Sequence, residues 1–451
     1  MNRAENLRRL REAPLDVLIL GGGINGAGLA RDLALRSPAL RIGLVEKAHF
    51  GSGTSGKNSH LIHGGLRYLK SLDLGLVREA LRERATLLRV APHRVRPLRF
   101  LIPMYGAFAR LYYTAGLWLY DALAGADNLE PHRTLARDQV AGLEPDLARD
   151  RLAGGAAFSD CFVESARLVL DNVADAARRG AIAVNYAQAR VEAGVARLTD
   201  RMTGESFDVR ARKFVDATGP WMSGGVRLVR GSHIVIPRVN RSDHAIAHFE
   251  SSGRIVFVIP WGTERRFSLV GTTDFDHAGS PDEVHISDEE IRYLTGAVRR
   301  LFPAADAEPI STFSSLRALV PDGSADPRRV GRGHRIWNDD HGVLHIAGGK
   351  YTTYRAMAEE AADHVLREIA PDLADVHLTA TTPLPPEPAG DPLVRAVETE
   401  MAQHLQDVLS VSTTWAYERR WTSETLRPLA ERMGALLGWD DDRIRRESAI
   451  E

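Results

Sequence analysis

The sequence contains a single cysteine, Cys161, among its 451 residues. An intramolecular disulfide is therefore excluded, and the composition favours a reducing compartment. Because this cysteine precedes Phe162, we interpret it as a small apolar core residue rather than a nucleophile.

Long apolar runs and an excess of one charge are also absent. Since no run of about 18 apolar residues occurs, no transmembrane helix is predicted. The charged residues 1–12 lack the apolar core of a signal peptide, so a cytoplasmic location is expected. The net charge is −1, from 58 Lys plus Arg and 59 Asp plus Glu, and no nucleic-acid partner is predicted.

A glycine-rich turn follows a short apolar run at residues 16–20. It has the pattern Gly21-x-Gly23-x-x-Gly26 and leads into residues with helical apolar spacing. Strand, turn and helix in this order predict a dinucleotide site. The first glycine permits the tight turn, the second lets the backbone approach a pyrophosphate, and the third allows close packing of helix on strand.

A second predicted strand, at residues 42–45, ends at Glu46. An acid about twenty residues after the glycines accepts hydrogen bonds from a ribose hydroxyl. The sequence therefore predicts a cofactor with a free 2′-hydroxyl, and NADP is not expected.

The dinucleotide site is predicted to combine residues 14–65, 213–221 and 343–353, which are far apart in the chain. Strand-like runs at 233–236, 255–259 and 267–271 predict an intervening antiparallel sheet. Helices are predicted at 73–90, 165–179, 287–302 and 352–369. An interrupted site of this kind favours a large flavin held along its whole length.

The segment 98–124 is rich in aromatic and aliphatic residues with arginines in and beside it. Two interpretations remain open: a helix lying on a membrane surface, or a core or interdomain helix. Its predicted apolar face comprises Phe108, Leu111, Tyr112, Leu117, Trp118 and Tyr120.

Several motifs resemble those of the FAD-dependent glycerol-3-phosphate dehydrogenases. The resemblance runs in one collinear order over roughly residues 14–370. It is carried by Gly-Gly-Gly-Ile-Asn-Gly-Ala-Gly at 21–28, Leu-Ile-His-Gly-Gly-Leu-Arg-Tyr-Leu at 61–69, Ala-Thr-Gly-Pro-Trp at 217–221, Gly-Ser-His-Ile-Val-Ile-Pro at 231–237, Gly-Thr-Thr-Asp at 271–274 and Gly-Gly-Lys-Tyr-Thr-Thr-Tyr-Arg at 348–355.

The resemblance implies an α/β fold, α+β overall, related to D-amino-acid oxidase. A Rossmann-like FAD-binding domain would comprise residues 14–95, 151–228 and 318–375, and an inserted antiparallel substrate domain residues 96–150 and 229–317. A linker is predicted at 376–392, followed by a helical region at 393–451 that is shorter than in the family.

The resemblance also implies the residues that bind FAD. These are Gly21, Gly23, Asn25, Gly26, Glu46, Lys47, Thr54, Ser55, Ser59, His63, Gly64, Gly65, Gly219, Gly348, Gly349, Lys350 and Thr352. Thr54, Ser55 and Ser59 would contact the pyrophosphate, while His63, Gly64 and Gly65 would pass close to the isoalloxazine ring.

A phosphate monoester is a dianion, and its burial requires cations, preferably guanidinium groups. Arg67 and Arg317 match the family's phosphate-binding arginines, with Tyr68 and Thr272 as neighbours and Lys350 near the carbinol oxygen or flavin. Alcohol oxidation also needs a base with a pKa near the working pH, which favours histidine. His233 is the leading candidate and Lys350 the second; Arg317 completes the predicted catalytic set.

The predicted activity is oxidation of sn-glycerol 3-phosphate, or a close phosphorylated alcohol, by FAD. A quinone would take the electrons, and the protein would be peripheral on the inner face of the cell membrane. Two alternatives remain open: an oxygen-using oxidase of another small anion, and a non-catalytic flavin-binding relative. A homodimer is left open, and no metal site is predicted.

Overall fold

A computed structural model describes residues 1–66, 69, 73–250, 253–327 and 330–450. Within these residues, two sheets and the helices packed on them account for most of the architecture, and a helical region completes the C-terminal end.

The central sheet carries the glycine turn. Its strands are parallel except for one antiparallel edge pair. In spatial order, the described strands are His334–Asn338, Leu344–Gly348, Ala211–Asp216, Leu15–Leu20, Ile42–Val45 and Ile182–Val184. The strands predicted near 16–20, 42–45 and 213–216 are therefore confirmed, with small shifts of their ends.

Helices cover one face of the central sheet, and a small sheet covers part of the other. Helix Ile24–Arg36 packs between Ser165–Arg178 and Tyr354–Ile369, which confirms two predicted helices. On the opposite side, helix Arg3–Glu12 shares an apolar cluster with the strands Ala187–Glu192, Val195–Asp200 and Ser206–Val209.

The large sheet contains the predicted antiparallel strands and extends well beyond them. In spatial order its main path comprises Phe275–Asp276, Arg227–Pro237, Phe267–Gly271, Ile255–Trp261, Ala245–Phe249, Val95–Tyr105, Leu152–Val163 and Leu61–Ile62. Strand Ser311–Leu319 pairs with Arg227–Pro237, and Arg133–Leu135 pairs with Leu152–Val163. Helix Asp288–Leu301 shares an apolar cluster with the sheet, near the predicted 287–302.

The segment 98–124 is not one helix. Its first part belongs to strand Val95–Tyr105, which pairs along its length with Leu152–Val163. Gly106, at φ +95°, separates this strand from the helix Ala107–Ala124, called the aromatic helix below. Sheet pairing satisfies the backbone of the first part, and this tertiary contact overrides the local composition.

The aromatic helix has a buried side and an exposed side, and its contact with a membrane surface stays a prediction. Leu117, Tyr120 and Ala124 are buried against the large sheet, whereas Phe108 and Trp118 are exposed. Among the described helices, none is both long enough and apolar enough to cross a lipid bilayer.

A buried polar network connects this helix to residues 51–66. These are the described part of the glycine-rich loop 51–68, which is predicted to contact the flavin and is called the flavin loop below. The Tyr120 hydroxyl donates to the Asp160 carboxylate at 2.9 Å and accepts the Gly64 N–H at 2.8 Å. Arg84, from helix Leu74–Val90, also donates to Asp160 at 2.7 Å. Each buried charge thus has a partner, which is the condition for burying it.

The C-terminal region has its own apolar cluster. Its helices are Pro392–Glu400, Leu405–Asp407, Trp415–Glu418, Ser423–Leu437 and Asp441–Ser448, with a π-helical turn at Val408–Ser412. Contacts such as that of the Tyr186 hydroxyl with Asp407, at 2.6 Å, connect it to the central sheet. The predicted domain boundaries stay a proposal; strand Leu152–Val163 lies in the large sheet.

The glycine turn generates a prediction for stability. A Cβ on Gly26 would lie 2.0 Å from the Gly21 carbonyl oxygen. We expect Gly26→Ala to cost about 1–3 kcal/mol of unfolding free energy, because backbone must move to admit the methyl group. Calorimetric unfolding measures this. Gly142→Ala, in helix Arg137–Leu143 with open space around it, is the control and should be neutral or stabilising. An unchanged melting temperature for Gly26→Ala would contradict the packing argument.

Candidate active site

A continuous cavity of about 1110 Å³ runs between the central sheet and the large sheet. Its wall includes the glycine turn, the flavin loop, the end of strand Ala211–Asp216 and the turn after Leu344–Gly348. The three distant segments predicted to form the dinucleotide site therefore meet at one cavity.

The glycine turn forms part of the cavity wall. Gly21, Gly23 and Asn25 line it, whereas Gly26 packs beneath the turn. Gly23 caps the helix Ile24–Arg36, so the positive end of that helix faces the cavity.

Two loop hydroxyls predicted to contact a pyrophosphate have protein partners. Ser55 Oγ accepts the Ile24 N–H at 2.9 Å, and Thr54 Oγ1 donates to the Leu316 carbonyl at 2.6 Å. Both residues still line the cavity, and their contact with cofactor stays a prediction.

Glu46 stands at the end of strand Ile42–Val45, as predicted, and faces the cavity. Its carboxylate accepts the Gly22 N–H at 2.7 Å and the Ala48 N–H at 2.9 Å. Burial raises the pKa of this carboxyl group, while the two N–H donors oppose the rise. Glu46 therefore stabilises the glycine turn by accepting the Gly22 N–H, and its carboxylate also offers a hydrogen-bond acceptor to the cavity.

Lys47 is engaged by a neighbouring loop. Its ammonium group bonds the Asp282 carboxylate and lies 4.3 Å from the centre of the Trp221 ring. The Trp221 indole N–H donates to the same carboxylate at 2.8 Å. All three residues line the cavity, so their contacts connect the loop that carries Asp282 to Lys47 and Trp221 in the cavity wall.

Further backbone turns line the cavity. The His63 N–H donates to Thr352 Oγ1 at 3.2 Å, which joins the flavin loop to the turn at Tyr351–Thr353. Gly65, Gly219, Gly348 and Gly349 have positive φ angles and line the wall without side chains. Gly64 instead packs on Tyr120, away from the cavity.

Two arginines lie close together in the cavity wall, in a cluster we call the anion pocket: Thr272, Asp274, Arg317 and Arg332. The Arg317 guanidinium donates to Asp274 at 3.1 Å and to Thr272 Oγ1 at 3.0 Å. Arg332 donates to the same Asp274 oxygen at 3.3 Å. All four residues line the cavity, so the guanidinium groups can bind an anion there.

The anion pocket includes two residues that the sequence did not reveal. Asp274 ends the Gly-Thr-Thr-Asp motif, which was a usable signal. Arg332 lies in an irregular arginine-rich stretch without such a signal. The predicted residues Arg67 and Tyr68 lie outside the described residues.

His233 lies beside the anion pocket, on strand Arg227–Pro237. A Cβ on Gly271, its partner in the paired strand, would lie 2.2 Å from the imidazole, so a glycine there makes room for the ring. The Ser59 hydroxyl is 2.9 Å from His233 Nε2, although Ser59 was predicted to contact a pyrophosphate. Burial and the nearby Arg317 charge lower the pKa of His233 well below 6.5, so the imidazole is neutral.

An aromatic stack supports His233 from behind. The Phe313 ring stacks on the imidazole with centroids 4.9 Å apart, and Tyr417 of the C-terminal region packs on Phe313 at 5.1 Å. The Ser311 hydroxyl donates to the Tyr417 carbonyl at 2.6 Å. The C-terminal region thus packs behind the wall of the site.

Lys350 also lines the cavity, directly after the Gly348–Gly349 turn. Burial lowers the pKa of its ammonium group to about 8. An amine that loses its proton near this pH can act as a base. Lys350 and His233, which both line the cavity, therefore both remain candidates for the base.

Asp363, Asp375 and His377 place potential ligand atoms within 4.8 Å of one another, and these three residues do not line the cavity. Arg36 already donates to Asp363 at 2.5 Å, and His377 lies 3.0 Å from it. Because the guanidinium charge opposes a bound cation, we assign no metal to this cluster.

The parallel sheet with its glycine turn, the long cavity and the adjacent anion pocket define an oxidoreductase that binds a dinucleotide cofactor. The family described as FAD dependent oxidoreductase matches residues 16–364. The chain belongs to this family and, within it, to the glycerol-3-phosphate dehydrogenases.

Two curated relatives support the assignment. The glycerol-3-phosphate dehydrogenase of Pseudomonas aeruginosa is 38% identical over 395 residues, covering 82% of this chain and 75% of that protein. The aerobic glycerol-3-phosphate dehydrogenase of Staphylococcus aureus is 33% identical over 390 residues, covering 81% and 69%.

Solved structures share the fold. The glycerol-3-phosphate dehydrogenase of Bacillus halodurans, complexed with FAD, superposes with a TM-score of 0.79 at 23% identity, covering 99% of this chain and 95% of that one. The L-α-glycerophosphate oxidase of Mycoplasma pneumoniae, with FAD bound, gives 0.59 at 18% identity, covering 79% and 95%.

FAD is therefore the cofactor, and the described residues fit it. The length of the cavity, the helix N-terminus at Gly23 and the Glu46 carboxylate suit the dinucleotide, and the side-chain-free turns suit a planar ring. A Cβ on Gly21 would collide with the Ala217 carbonyl at 2.6 Å, so the turn needs its glycine.

The contacts of Asp282 with Lys47 and Trp221 generate a prediction for FAD retention. In Asp282→Asn, the loss of the carboxylate charge weakens the contacts with Lys47 and Trp221. We expect FAD to dissociate about 2- to 5-fold faster, the scale of one exposed ion pair. Recovery of flavin fluorescence on release measures the rate. Asp208→Asn removes the partner of Arg197 on the small sheet and should leave the rate unchanged. Equal rates for Asp282→Asn and wild type would mean that the loop does not retain FAD.

Proposed function

We propose that this protein oxidises sn-glycerol 3-phosphate, or a closely similar phosphorylated alcohol, to the corresponding ketone, which for glycerol 3-phosphate is dihydroxyacetone phosphate. The observation that carries the proposal is the anion pocket beside two candidate bases. Arg317 and Arg332 supply two guanidinium charges and Asp274 one carboxylate, so the pocket has a positive surplus to offer a dianion.

The residues have separable roles in this reaction. Arg317, Arg332 and Thr272 would hold the phosphate, with Arg67 and Tyr68 proposed as further contacts from the sequence. His233 and Lys350 are the candidates to take the hydroxyl proton. Bound FAD accepts the hydride. A purely flavin-binding protein would have no need for this combination of charged groups.

Flavin bleaching without oxygen tests the activity. We expect glycerol 3-phosphate to bleach the yellow protein, whereas glycerol, which lacks the dianion, does not at the same concentration. Bleaching by other phosphorylated or carboxylated alcohols alone would reassign the substrate, and the absence of bleaching by any small anion would overturn the enzymatic proposal.

Arg317→Ala tests the anion pocket. We expect the KM for glycerol 3-phosphate to rise about 100-fold, because a desolvated charge pair with the phosphate is lost. The FAD content should stay unchanged. Steady-state kinetics and the flavin absorbance measure the two quantities, with the exposed Arg197→Ala as control. An unchanged KM would remove Arg317 from the pocket.

We propose a membrane quinone as the electron acceptor. Part of the cavity wall is apolar and carries Phe100, Phe158, Phe249 and Phe257. Tyr113 of the aromatic helix packs on Phe249, with ring centroids 4.6 Å apart. An apolar ring could therefore reach this wall from the side of the aromatic helix. Turnover with a soluble quinone and with oxygen distinguishes a dehydrogenase from an oxidase.

The exposed face of the aromatic helix is proposed to lie on a membrane surface. Phe108, Leu111 and Trp118 are 81%, 72% and 66% exposed, and Arg110 beside them is exposed as well. Apolar side chains next to a basic one suit the interface of an anionic bilayer.

Replacing all three exposed side chains by serine tests membrane binding. We expect sedimentation with vesicles containing anionic lipid to fall by about tenfold or more, because each apolar side chain loses its burial in lipid. Flavin content should stay constant. Leu436→Ser, which removes an exposed leucine from the C-terminal region, is the matched control. Undiminished sedimentation of the triple variant would exclude this face.

A further inference from the structure

The two ring nitrogens of His233 have different surroundings. Nε2 is 2.9 Å from Ser59 Oγ. Nδ1 is buried and has no hydrogen-bond partner among the described residues. The ring is held in this orientation by its stack on Phe313, with planes 18° apart. Because Nδ1 is buried, a substrate hydroxyl would meet the ring at Nε2, where the Ser59 hydroxyl already lies.

Ser59 lies next to His233 in the wall of the cavity. It lines the cavity together with the anion pocket and Lys350, and its side chain is only partly buried. A hydroxyl group can accept one hydrogen bond while it donates another, so Ser59 can contact a substrate hydroxyl and His233 at once.

We propose that the Ser59 hydroxyl relays the proton of the substrate hydroxyl to His233 Nε2. This inference rests on the proposed function. The substrate O–H proton passes to Ser59 Oγ as the Ser59 proton passes to Nε2. The C–H bond breaks with its electron pair, the carbonyl forms, and the hydride leaves to FAD, the oxidant. After product release, the imidazolium returns its proton to water through Ser59.

The electrostatics of the pocket favour this direction of transfer. Burial and the Arg317 charge lower the pKa of the imidazole, so His233 is neutral and can accept a proton. A dianion bound at Arg317 offsets that charge, which raises the basicity of His233 when substrate is present. The relay uses the tautomer that carries its hydrogen on Nδ1.

A double-mutant cycle tests the relay through the rate constant of anaerobic flavin reduction. We expect Ser59→Ala and His233→Ala each to lower this constant by about 10²-fold, the usual contribution of general base catalysis. Because the two residues act as one unit, the double variant should be no slower than His233→Ala alone. Ser59→Thr, which keeps a hydroxyl group, should retain most of the rate.

Two controls separate the relay from a structural effect. Ser242→Ala removes the contact of a serine with His244 Nδ1, at 3.0 Å, between residues that do not line the cavity, and should keep the wild-type rate. The FAD content of Ser59→Ala should match wild type; a loss of FAD would instead assign Ser59 to the cofactor. Effects of Ser59→Ala and His233→Ala that multiply, or a full rate in Ser59→Ala, would overturn the relay and leave Lys350 as the base.

A spectroscopic readout keeps the relay testable if the proposed substrate is wrong. In holoenzyme with ¹⁵N-labelled histidine, Ser59→Ala should shift the Nε2 resonance that disappears in His233→Gln. An unshifted resonance overturns the contact on which the relay depends. Failure of glycerol 3-phosphate to reduce the wild type, with the shift present, overturns the proposed substrate alone.

Discussion

The contact of Arg317 and Arg332 with one carboxylate, Asp274, is the interaction on which the rest of the site depends. Two guanidinium groups that share a confined space repel each other unless an anion lies between them. Asp274 supplies one negative charge, so the pair is held in place and a net positive charge remains for a substrate. Burial and the same Arg317 charge together lower the pKa of His233, so the imidazole is neutral. Anion binding and the readiness of the base are therefore coupled through one side chain.

The large sheet brings these side chains together because two of its strand positions carry no side chain. A Cβ on Gly231 would lie 2.4 Å from the Arg317 guanidinium, and one on Gly271 would lie 2.2 Å from His233. Behind them, Glu290 accepts the Ser232 hydroxyl at 2.8 Å and the Thr273 hydroxyl at 2.6 Å. Arg317 and His233 thus lie on paired strands with hydrogen-bonded polar groups behind them.

Residues whose role depends on local backbone were predictable. The glycine turn, Glu46 and the turn at Gly348 and Gly349 act through conformations that a few neighbouring residues set, and a short motif contains that information. Arg332 was not predictable, because its role comes from Asp274, which is distant in sequence. Ser59 was predicted at the cofactor, yet its hydroxyl lies on His233; a serine-rich loop does not reveal which way each hydroxyl points.

The sequence by itself determined the class of protein and, through its resemblance to a family, the cofactor. It also pointed to several of the residues that line the cavity, since strand, glycine turn and helix are local structures with a local pattern. Only the tertiary structure decided which partner each polar group takes. It divided residues 98–124 between a strand and a half-exposed helix, because pairing with Leu152–Val163 satisfies the backbone of the first part. It also placed Tyr417 behind Phe313 and His233. Such contacts join residues dozens of positions apart in the chain, and no short-range pattern encodes pairings of that kind.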